Sequence, residues 1–498
     1  MQHADCDTLS TEAKGLLADL LGKKELLKPK DRIAVPPQEM PCQAADARAR
    51  NMSEVALGYT AEQVRVEAMR CLQCKNAPCI KGCPVQIDIP GFIAAAAEGD
   101  FSKAVGIIKA NSLLPAVCGR VCPQETQCQL DCTVGKSLKD VDKSVAIGRI
   151  ERYVSDWERE VQGLRTPSVR PETGRKVAIV GSGPASITVA ADVRREGHAV
   201  TMFEAFHKPG GVLMYGIPEF RLPKRIVEAE IQSLIAMGVN VRTNFIVGRT
   251  RQIKDLIEKD GYDAVFVGAG AGLPKFMSIE GENLVGVFSA NEYLTRSNLM
   301  RAYDREHADT PISHSRVTAV LGGGNVAMDA ARTAIRLGAQ EVHLVYRRTE
   351  AEMPARAEEV RHAREEGVQF HLLQNAVRLL GDEFGCVNTM FCTRYELGAP
   401  DESGRRRPVQ VKDSDFSMTV DTVIVAIGNE SNPLIRQTTP AISVNKWGNI
   451  VVDDNGMTTM DRVYAGGDIV LGAATVILAM GQGRRAAAAI NARLAQSK

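Results

Sequence analysis

From Arg175 onward, short apolar runs alternate with longer stretches whose apolar positions recur every three or four residues. The runs Lys176–Val180, Ala199–Phe203, Ala264–Val267, Val317–Leu321, Val342–Tyr346 and Thr422–Ala426 predict buried strands. Strands separated by helical patterns predict βαβ units and parallel sheets. Before Arg175 the texture differs. Short helical stretches, Thr60–Cys71 and Ile89–Ala97, stand among cysteines and prolines. An amphipathic patch around Leu16–Leu27 and the Pro36–Pro37 break mark a polar leader. Thr166–Gly174, with two prolines and a glycine, reads as a linker.

With 498 residues the chain is too long for one ordinary core. Five segments are expected: an arm (1–57), a mainly α-helical domain (58–165), and an α/β remainder divided at 166–285, 286–429 and 430–498. A net charge of +1 supplies no electrostatic footprint for nucleic acid or an anionic membrane. Met1–Ser10 carries Asp5 and Asp7 and no apolar signal core, and the run Ile469–Met480 is broken by glycine and too short to span a bilayer. A cytoplasmic protein without membrane insertion is therefore expected.

Eight of the twelve cysteines fall between Cys71 and Cys132. In a long chain without an export signal, metal binding is a better use for them than disulfides. The first run is Cys71-x2-Cys74-x4-Cys79-x3-Cys83-Pro84; the second is Cys118-x3-Cys122-x5-Cys128-x3-Cys132. Thiolates at short spacing select iron–sulfur clusters or zinc over hard cations. The spacings do not form paired zinc knuckles, and Cys83-Pro84 matches the cysteine–proline ending of bacterial ferredoxin runs. Two structural zinc sites are the alternative.

Two glycine-rich turns, about 140 residues apart, follow predicted strands and open predicted helices. In the first, Gly181-Ser-Gly183-Pro184-Ala185-Ser186, the next strand ends in Glu204. An acid there accepts from a ribose 2′-hydroxyl and suits FAD or NAD. The second, Gly322-Gly323-Gly324-Asn325-Val-Ala327, leads to a strand ending in Tyr346-Arg347-Arg348. Guanidinium groups in that place match a 2′-phosphate, so NADPH is expected; arginines on a solvated face are the bland alternative. Lone glycine fingerprints are weak evidence, and here the strand–turn–helix context carries them.

The stretches CLQCKNAPCIKGCPVQIDIPGF, CGRVCPQETQCQLDC and AIGRIERY resemble the small subunit of NADPH-dependent glutamate synthase. They are equally similar to the large subunit of NADH-dependent reduced ferredoxin:NADP oxidoreductase and to the N-terminal part of dihydropyrimidine dehydrogenase. The resemblance runs from about residue 40 to the C-terminus. It implies a helical domain with two [4Fe–4S] clusters in front of two Rossmann-like domains for FAD and NADPH. Carried onto this chain, Cys71, Cys74, Cys79 and Cys132 hold one cluster. Cys83, Cys122 and Cys128 hold the other, with Glu151 in the place of a family glutamine and Cys118 as its competitor. Resemblance to two-dinucleotide flavoproteins further implies that Gly467-Asp468, Thr475 and the helix after it address FAD together with Gly210 and Gly211. The stretches Val265–Gly270 and Ile424–Gly428 look like the crossover strands, the second bringing Gly428 to the cofactors.

No cysteine pair stands in the loop Pro209–Pro218, so disulfide reduction is not expected, and no side chain is assigned a catalytic role. Cys386 and Cys392 are given a core or surface role on probable strands. The expected activity is oxidation of NADPH, with electrons passing over FAD and the clusters to a partner subunit in a hetero-oligomer. That partner is a glutamate synthase large subunit or, in the alternative, the small subunit of an electron-bifurcating ferredoxin:NADP oxidoreductase, with ferredoxin involved. A pyrimidine-reducing partner and a redox-inactive docking protein are less favoured.

Overall fold

The structure is a computed structural model that describes residues 6–23, 27–164, 166–304, 306–400 and 404–496. Part of the predicted leader and of its amphipathic patch (1–5 and 24–26) lies outside the described residues. The helix α1 (Cys6–Leu21) sets Leu17 and Leu20 against Val66 and Met69 of α2 (Ala61–Met69). Thr60 caps α2, accepting from Gln63 N while the Gln63 side chain returns to the Thr60 N–H. The helices α3 (Ile89–Glu98), α4 (Phe101–Asn111), α5 (Pro115–Val121) and α6 (Ile147–Trp157) complete the helical region. Asp88 and Asp100 cap α3 and α4, and Gly99, at φ +82°, ends α3 as its left-handed C-cap.

The α/β part follows as β1 (Lys176–Val180), α7 (Pro184–Arg195), β2 (Ala199–Phe203), α8 (Lys224–Ala236), β3 (Asn240–Arg242) and β4 (Ala264–Val267). Next come β5 (Val287–Ser289), β6 (Val317–Leu321), α9 (Asn325–Arg336), β7 (Glu341–Tyr346), α10 (Ala357–Glu365) and β8 (Gln369–Leu372). Four further strands stand after them: β9 (Gln374–Gly381), β10 (Val387–Pro400), β11 (Arg406–Gln410) and β12 (Phe416–Thr419). The chain ends through β13 (Thr422–Val425), β14 (Val463–Ala465) and α11 (Val476–Gln496).

One parallel sheet has the order β14-β4-β1-β2-β3, and a second has β5-β13-β6-β7-β8. Each carries one glycine fingerprint after its central strand. Because β14 pairs with β4, the C-terminal segment returns to the first sheet, and the second sheet is an insertion between its strands. Strands β1, β4, β6 and β13 are apolar and almost wholly buried, as expected where helices cover both faces.

The antiparallel unit β9–β12 was not legible in the hydrophobic pattern. Its strands alternate buried and exposed residues around register shifts, so no clean period survives. Cys392 lies fully buried on β10, while Cys386 sits half-buried just before that strand. Among the described residues no single helix is long and apolar enough to cross a membrane.

Candidate functional site

The cysteines gather into two groups that cross the sequence order. Cys71 follows the C-cap of α2, Cys74 and Cys79 sit on the next turns, and Cys132 comes back as the N-cap of the helix Thr133–Leu138. All four line one cavity walled by Ile89, Ile93, Val134, Val145 and Ile147. Burial first, and then the neighbouring thiols, push Cys71 up to about 11 and Cys79 up to about 12. Cys71 and Cys79 therefore hold their protons unless a cationic centre replaces them.

The second group is deeper. Cys83, Cys122 and Cys128 are buried, and Glu151 of α6 faces them. Glu151 is 6% exposed, and among the described residues its Oε1 finds no hydrogen-bond partner. Burial alone pushes its carboxyl up to about 8. An orphaned carboxylate oxygen beside three thiols is costly as it stands and suits a metal-bearing centre. Cys118 is also here, hydrogen-bonded to Cys122, but its Sγ also points to Met480 Sδ at 3.6 Å. Among the described residues no three His, Cys, Asp or Glu side chains are gathered tightly enough for a single metal ion.

The two groups are neighbours. A Cβ on Gly82 would lie 2.9 Å from Gln127 O and 3.2 Å from Cys128 Cα, so the Cys79–Cys83 turn rests directly on the Gln127–Cys128 backbone. The deeper group in turn rests against α11. A Cβ on Gly481 would meet Pro84 O at 2.9 Å, and Gln127 Nε2 donates to Thr475 Oγ1 at 3.4 Å. Nothing in the sequence pattern marks Gln127 for this contact.

At the first fingerprint, Gly181 adopts φ +93°, and a Cβ there would strike Gly268 O at 2.5 Å. Gly183 is the N-cap of α7 with open space beside it and no side-chain cap, so the first helical N–H groups, beginning at Ala185 because Pro184 carries none, are not met by the helix itself. Glu204 is buried at the end of β2; its Oε1 accepts from Phe206 N at 2.8 Å, and Ser182 Oγ donates to its Oε2. Ser182 Oγ also accepts from Gly210 N at 2.8 Å, and Gly211 passes so close that a Cβ would lie 2.8 Å from Gly183 Cα. The Gly210–Gly211 turn thus crosses the fingerprint. From the edge strand of the sheet, Gly467 and Asp468 follow β14 at the same carboxyl end, where a Cβ on Gly467 would lie 3.1 Å from Ala185 Cβ. Burial pushes Asp468 up to about 6, and its Oδ1 accepts from Ala474 N at 3.2 Å. Thr475 Oγ1 accepts from Leu478 N, capping α11. Ser182 is a missed residue. It occupies a variable place of the fingerprint and carries no signal of its own.

At the second fingerprint Gly322 has φ +144°, Gly323 lies under the Tyr346 ring, and Gly324 is the uncapped N-cap of α9. Asn325 Oδ1 accepts from Arg356 N at 3.0 Å, and Ala355 N donates to Gly323 O at 3.3 Å, so the segment 353–356 walls this turn. The two arginines part ways. Arg347 is exposed, whereas Arg348 is 7% exposed and donates from Nε to Arg406 O at 2.7 Å. Gly428, at φ +109° after β13, accepts at its carbonyl from Lys275 N.

Residues 48–163 match the family model of dihydropyrimidine dehydrogenase domain II, 4Fe-4S cluster, and residues 175–489 match that of pyridine nucleotide-disulphide oxidoreductase. The beta subunit of NADP(+)-dependent formate dehydrogenase from Moorella thermoacetica is 40% identical over 446 residues; these are 84% of this chain and 60% of that subunit, so the chain spans only part of it. The glutamate synthase [NADPH] small chain of Azospirillum brasilense is 36% identical over 91% of this chain and 94% of its own length. Among solved structures, Mycobacterium tuberculosis FprA in complex with NADPH superimposes with a TM-score of 0.55 at 20% identity, covering 66% of this chain and 86% of its own. That likeness speaks for the fold of the α/β part.

Proposed function

The chain belongs to the family of NADPH-dependent FAD/iron–sulfur oxidoreductases that includes the glutamate synthase small chain, and from that membership we propose that it is the NADPH-oxidising subunit of a glutamate synthase. When bound, FAD accepts hydride from NADPH and the two [4Fe–4S] clusters carry the electrons away singly. Gly181, Gly183, Glu204, Gly210, Gly211, Gly467, Asp468 and Thr475 would hold FAD. The Gly322–Asn325 turn would take the NADPH pyrophosphate, with Arg347 on its 2′-phosphate and Arg348 holding the strand end that presents Arg347. Cys71, Cys74, Cys79 and Cys132 would hold the outer cluster. Cys83, Cys122 and Cys128 would hold the inner one, with Glu151 as fourth ligand, since its oxygen is orphaned while Cys118 is engaged with Met480.

The observation that carries this reading is the contact of α11 with the deeper cysteine group, through Gly481–Pro84 and Thr475–Gln127. It sets the place proposed for the flavin against the place proposed for the inner cluster, with the outer group next and half-exposed. The arrangement supports a one-way conduit ending at the surface, where a partner subunit would dock. The formate dehydrogenase subunit of Moorella supports the coarser statement that chains of this kind serve multi-subunit enzymes.

The test is anaerobic co-purification followed by an assay of the complex with 2-oxoglutarate, glutamine and NADPH. Formation of two glutamates for each NADPH consumed supports the proposal. A small ferredoxin-reductase-like partner, with ferredoxin reduced instead, would replace it with the bifurcating alternative.

A further inference from the structure

Two dinucleotide-binding halves joined by short crossings are free to swing unless their contact is large or specific. Here the contact includes a buried ionic cluster. Arg221 leaves the loop that follows the Gly210–Gly211 turn and places Nη1 2.7 Å from both carboxylate oxygens of Asp329, one turn into α9. Its Nε lies 3.2 Å from Glu359 Oε2 on α10. Beside it, the fully buried Phe220 ring lies under two guanidinium groups of α9, 4.7 Å from Arg332 and 3.8 Å from Arg336. Both of these arginines pair with Glu366. From the N-terminal arm, Arg48, with no exposed surface, reaches Glu366 Oε1 at 2.9 Å and Glu365 Oε2 at 2.6 Å. The arm also donates Val55 N to Phe220 O at 3.0 Å.

The loop that carries Arg221 is itself fixed. Lys224 Nζ donates to the carbonyls of Leu213 (3.0 Å), Leu222 (3.3 Å) and Ile217. Arg221 therefore joins the segment crossing the first fingerprint to the helix that begins at the second. Buried ion clusters add little net stability compared with apolar packing of the same volume, but they fix one geometry because each charge is costly away from its partner.

We propose that Phe220 and Arg221, backed by Arg48 of the arm, are positioning residues that lock α9 and α10 to the flavin-binding half, so that the nicotinamide meets the flavin without a domain swing. The lock rests on the assignment of the two fingerprints to FAD and NADPH. A displacement of about 1 Å at the reacting atoms costs on the order of a hundredfold in rate, so a loosened lock acts on the rate of transfer before it acts on binding.

The test compares the wild-type holoenzyme with Arg221→Met, Arg221→Lys and the double variant Arg221→Met/Asp329→Leu, which leaves no uncompensated buried charge if the single change prevents folding. Three quantities are read: hydrogen exchange over Asn325–Arg336 and Ala357–Glu365, NADP+ affinity by calorimetry, and the limiting rate of flavin reduction at saturating NADPH. In the Met variants the lock predicts exchange about tenfold faster in both helices, affinity unchanged within about twofold and a limiting rate lowered by about tenfold or more, with Arg221→Lys recovering part of the rate. Faster exchange with an unchanged limiting rate, or rate and affinity falling in proportion, overturns it. A wild-type flavin that NADPH does not reduce would instead sink the dinucleotide assignment, and the exchange data would still decide whether the lock exists.

Discussion

The two cysteine groups are made of the same residue type and lie side by side, yet their settings are opposite. Cys71, Cys74 and Cys79 are half-buried around a cavity with one apolar wall, and all four seats of their group are cysteines. Cys83, Cys122 and Cys128 are buried, share their space with a carboxyl, and lie against α11, which Thr475 caps. Exposure and ligand type are levers on the potential of an iron–sulfur centre. On the proposed function, a centre in the buried group would receive electrons from the flavin side and one in the half-exposed group would deliver them.

The strongest way to break this comparison is to remove one seat from each group. Cys122→Ser is expected to cut NADPH-driven reduction of an external one-electron acceptor by about a hundredfold or more, while flavin reduction by NADPH stays within about twofold. Cys74→Ser should give the same overall loss but leave the inner centre's signal in electron paramagnetic resonance. Equal spectral loss in both variants would mean that the groups are not separable. Next in size, Glu151→Ala is expected to lower the iron content of the inner centre about tenfold or shift its spectrum, with the outer centre untouched. A normal spectrum in Glu151→Ala with an altered one in Cys118→Ala would move the fourth seat to Cys118.

The two fingerprints offer a second, milder contrast. Arg347→Ser should weaken NADPH about tenfold and NADH less than twofold, the loss of one or two charge-assisted hydrogen bonds. Arg348→Ser should lower thermal stability instead, because its guanidinium ties β7 to β11. Loss of both nucleotides alike in Arg347→Ser would remove the specificity argument.

The smallest effect on electron delivery comes from the seam between the helical region and α8, and it is read in stability. Burial pushes Glu230 up to about 7, against the opposing pull of Lys109 and Arg159. An unfolded glutamate titrates near about 4.3, so between about pH 4.3 and 7 the folded state binds more protons, and stability falls as pH rises through that window by about 2–4 kcal/mol. Glu230→Gln should flatten the slope; an unchanged slope would place the charge elsewhere.

Much of this was legible in the residues. The strands around both fingerprints, the Glu204 and Arg347–Arg348 strand ends and the crossed cysteine sets rest on local spacing or on a resemblance carried by contiguous motifs. What was not legible depends on contacts between distant segments. Gln127 touches Thr475 across 348 residues, and Arg48 reaches Glu366 across 318. No period or motif encodes such pairs. The difference between Arg347 and Arg348 was equally hidden, because it is set by the β11 carbonyl that covers one of them, and β11 belongs to the antiparallel unit that hydrophobic periodicity did not reveal.

The most direct measurement is an anaerobic rapid-mixing experiment with NADPH on wild type and Cys122→Ser, following flavin absorbance and the outer centre's paramagnetic signal together. Flavin bleaching is expected in both proteins, with an outer centre that is reduced in wild type but stays oxidised in the variant. Reduction of the outer centre at the wild-type rate in Cys122→Ser would mean that electrons reach it without the inner one.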